Sequence, residues 1–141
     1  MKVSIEYSEG VHFIANVRQF NSIHIDEPES FNGTELGPSP VEYVLIGIGG
    51  CLGSTLSYCL KKKGLEINKL EIIIDGKIRH EEPYNRLRIT SVDAELHLNM
   101  KDNGNTGEID SCVESFLKYC IVSNSISQGI PIDVKVLKKD A

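Results

Sequence analysis

Four cysteines, at positions 51, 59, 112 and 120, are the side chains with the most chemistry to offer in this sequence. Cys51 stands among Gly47, Gly49, Gly50 and Gly53, neighbours small enough to leave its sulfur approachable. A hydroperoxide-reducing thiol needs a thiolate at neutral pH, a place for the peroxide and a second thiol that discharges the sulfenic acid as a disulfide. Cys51 is the candidate attacker. Cys120 falls in helical register with Ile109, Cys112, Val113, Phe116 and Leu117, so its sulfur is expected to face the core. Cys112 shares that face and stands as a rival partner. Cys59 lies about 12 Å beyond Cys51 along a helix rising 1.5 Å per residue, which excludes a direct bridge between them in a straight helix. Packing as small core hydrophobes is the expectation for Cys59 and Cys112.

Cys51 is expected in mid-helix, where the helix dipole does little for a thiol, so a cation is expected to hold its thiolate. There are four arginines, at 18, 79, 86 and 88. The last three flank a Pro83-Tyr84-Asn85 turn and are expected on a solvated hairpin. Arg18, the one arginine upstream of the helix, is therefore the candidate. No Cys-x-x-Cys pair is present, and His12, His24, His80 and His97 are scattered singly, so neither a metal nor a bound cofactor is expected. The opening MKVSIEYSEG has no apolar signal core, which points to a cytoplasmic protein with reduced thiols and no structural disulfide.

The elements that must position these residues are readable from patterning. Residues 2–26 alternate and are β-branched, predicting two or three strands with Glu9-Gly10 as the first turn. A Gly/Pro/Asn loop at 27–38 leads into a helix over 39–63, with Ser39 as N-cap, Pro40 next and Glu42 completing a capping box. Gly64 ends it after a lysine-rich last turn. Residues 69–82 and 86–100 alternate as two strands, and a polar loop at 101–107 follows. A helix carrying Cys112 and Cys120, a short helix over 121–128 stopped by Gly129, and a last strand at 130–136 complete the chain. That order suggests an α+β domain.

Composition removes several classes of function. The 141 residues suit one domain, and a net charge of −5 with a pI near 5.4 argues against nucleic acid as a partner. Tyr43 to Leu60 carry no charge and reach the length of a membrane span. Ser, Thr and Cys interrupt the run, and the amphipathic strands can cover it, so a soluble buried helix is the preferred reading and no membrane partner is expected. Four glycines in its interior each cost about 1 kcal/mol relative to alanine, which close approach of another segment or molecule is expected to offset.

The run GPSPVEYVLIGIGGCLGSTL (37–56) resembles the first-cysteine helix of the OsmC/Ohr family, and YCIVSNSISQGIPIDVKV (119–136) resembles its second-cysteine segment and final strand. The order of elements is similar along essentially the whole chain, nearer the less characterised OsmC-like branches than Ohr itself. The resemblance implies a single OsmC-like domain over 1–141. Its α+β fold would bury the long glycine-rich helix against β-sheets completed across an intertwined homodimer. It implies a thiol peroxidase in which an organic hydroperoxide oxidises Cys51 to sulfenic acid, Cys120 resolves it, and a small dithiol or lipoyl-type reductant restores both thiols. An arginine would stabilise the thiolate and a glutamate would position the arginine, roles that fall to Arg18 and Glu42. Here the residue directly after Pro40, where Ohr has its glutamate, is Val41, and Glu42 is already the capping partner of Ser39. That departure keeps two other readings open: a binding protein for a thiol or acyl compound of coenzyme A type, and a redox-sensing dimer without turnover.

Overall fold

Alternation in the first 26 residues becomes an antiparallel meander of β1 (Ser4–Glu9), β2 (His12–Val17) and β3 (Phe20–Ile25), in the order β1-β2-β3. A computed structural model describes residues 1–102 and 105–139. Tyr7 pairs with Phe13 across β1 and β2, their rings meeting edge to face at 5.6 Å. His12 and Ala15 point into the core from β2. The His12 Nε2 and His24 Nδ1 atoms share one hydrogen bond of 2.9 Å, so one ring donates and the other accepts.

The chain divides into two compact units. Unit one comprises residues 1–49 and 73–95, and unit two comprises 50–72 and 96 onward. The remaining elements are α1 (Pro40–Lys62), β4 (Ile67–Glu81), β5 (Arg86–Met100), α2 (Thr106–Ser115) and α3 (Ile121–Gln128). Two short 3-10 turns occupy Glu29–Phe31 and Phe116–Tyr119.

In unit one the loop before α1 is organised by Asp26, which is fully buried. Its carboxylate accepts from the Thr34 hydroxyl at 2.6 Å and from the backbone N–H groups of Glu27, Leu36 and Thr34. Those donors, led by the Thr34 hydroxyl, hold the carboxyl far below its ordinary range against the opposing effect of burial. Asp26 N–H donates to the Pro38 carbonyl, and the Tyr43 hydroxyl donates to the His24 carbonyl at 2.6 Å, so loop, strand and helix start are tied together.

The start of α1 is the capping box that the sequence predicts. Ser39 Oγ accepts from Glu42 N–H at 3.2 Å, and Glu42 Oε1 accepts from Ser39 N–H at 2.9 Å. Its end matches as well: Gly64, at φ 73°, donates to Lys61 O while Leu65 donates to Leu60 O, satisfying the last-turn carbonyls. The expected burial all round is met on one face only. Ile48, Leu52, Leu56 and Leu60 are buried, whereas Val44, Ile46 and Tyr58 remain exposed. Gly53 admits Ile72 of β4, which a side chain there would meet, but Gly47 and Gly50 face open space. The close approach expected at the glycines is thus supplied at one of these three.

β4 and β5 form a two-stranded hairpin with Leu70, Ile72, Ile74 and Gly76 half-buried along β4. Arg79, Arg86 and Arg88 are exposed around its turn, as expected. Asn105 caps α2 by accepting from Glu108 N–H, while positions 103 and 104 of the expected polar loop lie outside the described residues.

Three expectations are corrected. The helix carrying Cys112 does not run on to Cys120: α2 ends at Ser115, a 3-10 turn follows, and Cys120 is extended at φ −73°, ψ 105° as the residue that opens α3. Cys112, Phe116 and Cys120 are still buried, but Val113 and Leu117 are exposed. Cys59 and Cys112 are not free core thiols; they form a disulfide with a Cα–Cα distance of 5.8 Å. The last strand, expected at 130–136, has no strand partner among the described residues, and Ile130, Ile132, Val134 and Val136 are all exposed.

Candidate active site

Unit two brings Cys51 and Cys120 together. Cys51 is half-buried on α1, and Cys120 is fully buried at the junction of the 3-10 turn with α3. The Cys120 thiol is near enough to the Cys51 sulfur to act on its acidity. Burial pushes the Cys51 thiol up, but the Val122 N–H, the Cys120 side chain, Thr55 and the Ile121 N–H together bring it below its ordinary value. Ile121 and Val122 are the first two residues of α3, whose N–H groups have no partner within their own helix. The sulfur of Cys51 therefore faces a helix N-terminus, though not that of its own helix.

Thr55 contributes least securely. Its hydroxyl donates to the Cys51 carbonyl at 2.7 Å, whereas its distance to the Cys51 sulfur is 4.0 Å. Its single proton is committed to the carbonyl, which also accepts from the Ser54 hydroxyl at 3.2 Å. The backbone donors of α3 and the Cys120 thiol remain to hold the thiolate.

The turn that carries Cys120 is held by Asn124. Its side-chain amide donates to Leu117 O at 2.9 Å, Lys118 O at 3.3 Å and Cys120 O at 2.8 Å. The Leu117 and Lys118 carbonyls end the 3-10 turn and would otherwise lack intrahelical donors, while the Cys120 carbonyl also accepts from Asn124 N–H at 3.1 Å. The Cys-x-x-x-Asn spacing was visible in the sequence as part of the second-cysteine segment, but its clamping geometry was not.

Arg18 and Glu42 lie in unit one. Arg18 occupies the tight turn between β2 and β3 at φ 52°, with its guanidinium 5.0 Å from the Phe20 ring centroid. Glu42 is engaged by Ser39, whose backbone N–H and hydroxyl lower its carboxyl below the ordinary value. The causes that lower the Cys51 thiol in this chain are hydrogen-bond donors and not the expected cation. No group of three or more His, Cys, Asp or Glu residues suited to a metal ion occurs among the described residues.

The family model described as OsmC-like protein matches residues 33–135, a span that includes both free cysteines. The chain belongs to the OsmC-like family. Among solved structures, an OsmC-like protein from Mycoplasma pneumoniae is similar with a TM-score of 0.73 and 20% identity, covering 92% of this chain and 87% of the other. The organic hydroperoxide resistance protein OhrB of Bacillus subtilis shares this OsmC-like architecture with a TM-score of 0.57 and 20% identity, covering 87% of each chain. Protein YhfA of Escherichia coli K12 is 24% identical over 132 residues, 94% of this chain and 93% of its own. The mixed α+β fold is therefore that of OsmC-like proteins. Although α1 is long and apolar enough to cross a membrane, in the OsmC-like fold it is a core helix of a soluble protein.

Proposed function

We propose that this OsmC-like protein is a cysteine-dependent peroxidase for organic hydroperoxides. The observation that carries the reading is the pair of free thiols in unit two, Cys51 half-buried on α1 and Cys120 buried at the start of α3, whose amides act on the Cys51 thiol. The Cys51 thiolate attacks the distal peroxide oxygen, the O–O bond breaks, and the alkoxide leaves with a proton as the alcohol, giving the Cys51 sulfenic acid. Cys120 then attacks that sulfur, water leaves, and a Cys51–Cys120 disulfide forms. A dithiol or lipoyl-type reductant supplies two electrons, restores both thiols and departs as its own disulfide. No separate cofactor is required. Arg18 and Glu42 have partners of their own in Phe20 and Ser39, and the thiolate is assigned to the α3 amides. A cytoplasmic setting, where dithiols are kept reduced, suits this cycle.

The working form is a homodimer. Val44, Ile46 and Tyr58 on α1, and Ile130 to Val136 beyond α3, leave apolar side chains uncovered that a second copy would bury.

The test is peptide mass spectrometry after one equivalent of cumene hydroperoxide, with hydrogen peroxide in parallel. A Cys51–Cys120 disulfide, formed faster with the organic peroxide and lost with multiple turnover in Cys51→Ser, is the expected result. Equal consumption of peroxide by Cys51→Ser ends the reading. Untouched Cys51 and Cys120 thiols would favour a small-molecule binding role instead. One feature supports that role: an apolar groove of about 240 Å³ in unit one, between Phe31, Val41, Ile78, Leu87 and Ile89.

A further inference from the structure

Two cysteine pairs, not one, connect α1 to the segment that follows it in unit two. Cys59 is bonded to Cys112, and Cys51 faces Cys120. Cys51 precedes Cys59 on α1 by the same number of residues by which Cys112 precedes Cys120. The two segments therefore run antiparallel, cross-linked at one end and carrying the reactive pair at the other. Besides the bridge, the second segment buries Phe116, and its other contacts at the bridge end are slight. α2 has only 10 residues, Val113 and Leu117 are exposed, and the Lys63–Ser111 hydrogen bond is an exposed contact of 3.2 Å. A helix this short is marginal without tertiary support. Beyond the reactive pair, the Asn124 amide fixes the turn itself. That clamp is local to residues 117–124 and does not tie the turn to α1.

We infer that the Cys59–Cys112 disulfide is a positioning pair for the reaction: it holds Cys120 against Cys51, and its opening by a dithiol slows resolution of the Cys51 sulfenic acid. This rests on the peroxidase reading for its role, but the positioning itself can be measured without peroxide. Opening is a two-electron step in which the dithiol's thiolate attacks one sulfur of the bridge. Its second thiol then displaces the other cysteine, so Cys59 and Cys112 each end as thiols and the reductant as its cyclic disulfide. Closed, the bridge confines Cys120 to a small volume around Cys51. Open, the α2 segment is tethered to α1 only through its remaining packing, and the effective concentration of one thiol at the other falls.

The experiment compares the full-length wild type with Cys59→Ala/Cys112→Ala, and with the one-atom change Cys112→Ser in case the double variant does not fold. In the first arm, glutathione redox buffers without peroxide give the effective concentration of the Cys51–Cys120 pair. A drop of tenfold or more in either folded variant is expected, and an unchanged value overturns the proposal. In the second arm, dimedone traps sulfenic acid after one equivalent of cumene hydroperoxide. The rate of Cys51 oxidation should match wild type, while the trapped fraction rises tenfold or more because resolution is slow. Wild-type resolution kinetics in a variant that lacks the bridge also overturn it. Absence of any Cys51 sulfenic acid or disulfide with peroxide in wild type would sink the peroxidase reading, while the first arm still decides whether the bridge positions the pair.

Discussion

Cys51 draws its acidity from a helix to which it does not belong. The α3 amides of Val122 and Ile121 act on the sulfur across the unit-two core, and they offset the desolvation that burial imposes. Peroxide attack runs through the thiolate, so the oxidation rate of the reduced protein should rise with pH and reach half its plateau below the pH at which an ordinary cysteine would. Ile121→Pro removes one of the two N–H donors. Cys120 is already extended and position 121 is the first of α3, so proline fits the backbone there. The inflection should move up slightly with the plateau unchanged, as read by stopped-flow oxidation across pH; an unmoved inflection would show that the Ile121 N–H is not one of its sources. The same shift links to stability. A thiol whose folded value is lowered adds stability above its unfolded value and loses it as pH falls through the folded one. None of this was legible from sequence, because position along α1 predicts only the dipole of α1 itself. Cys51 and Cys120 were singled out in the sequence, Cys51 from its glycines and Cys120 from its place in the second-cysteine segment, and both are free thiols in unit two. The Cys59–Cys112 bridge was not. Its only advance signal was the matched spacing of 51 to 59 and 112 to 120, which suggests two antiparallel segments but fixes no distance.

Elements whose cause is local were read correctly, and those whose cause is tertiary were not. The start of α1 is decided within four residues, so Ser39 and Glu42 announced it. Ser39→Ala removes the acceptor for Glu42 N–H and should cost about 1 kcal/mol of unfolding free energy, measured by urea denaturation. Retention of wild-type stability would mean that the buried Asp26 network alone fixes the entry to α1. By contrast, the break between α2 and α3 has neither glycine nor proline to mark it, and the apolar spacing of 109–120 reads as one continuous helix. The break is held by the Asn124 amide and by the burial of Phe116 and Cys120, which depend on the rest of unit two. The strand pattern at 130–136 is genuine β patterning, but a strand needs an edge to pair with, and among the described residues the segment pairs with none.

At the scale of the whole molecule, one chain does not bury what its composition can bury. It exposes 11184 Å², against about 7300 Å² for a compact monomer of its mass. Much of that apolar surface lies on Val44, Ile46 and Tyr58 of α1 and along Ile130, Ile132, Val134 and Val136, whose alternation puts all four on one side of an extended segment. Gly47 and Gly50 leave α1 open to close approach by another chain. A second copy that pairs with the 130–136 segment and covers α1 would satisfy both the unpaired backbone and the exposed side chains. Sedimentation should therefore give twice the 15.6 kDa chain mass at micromolar concentration. Ile132→Asp/Val134→Asp places two charges where the partner would bury two aliphatic side chains, a loss of about 3 kcal/mol or more, equivalent to roughly 100-fold weaker association. The variant should sediment as a monomer at concentrations where wild type is dimeric, and its melting temperature should lose the dependence on protein concentration that a dimer shows. A wild-type chain that sediments as a stable monomer would leave that apolar surface to be covered by some other partner, and the homodimer reading would be withdrawn.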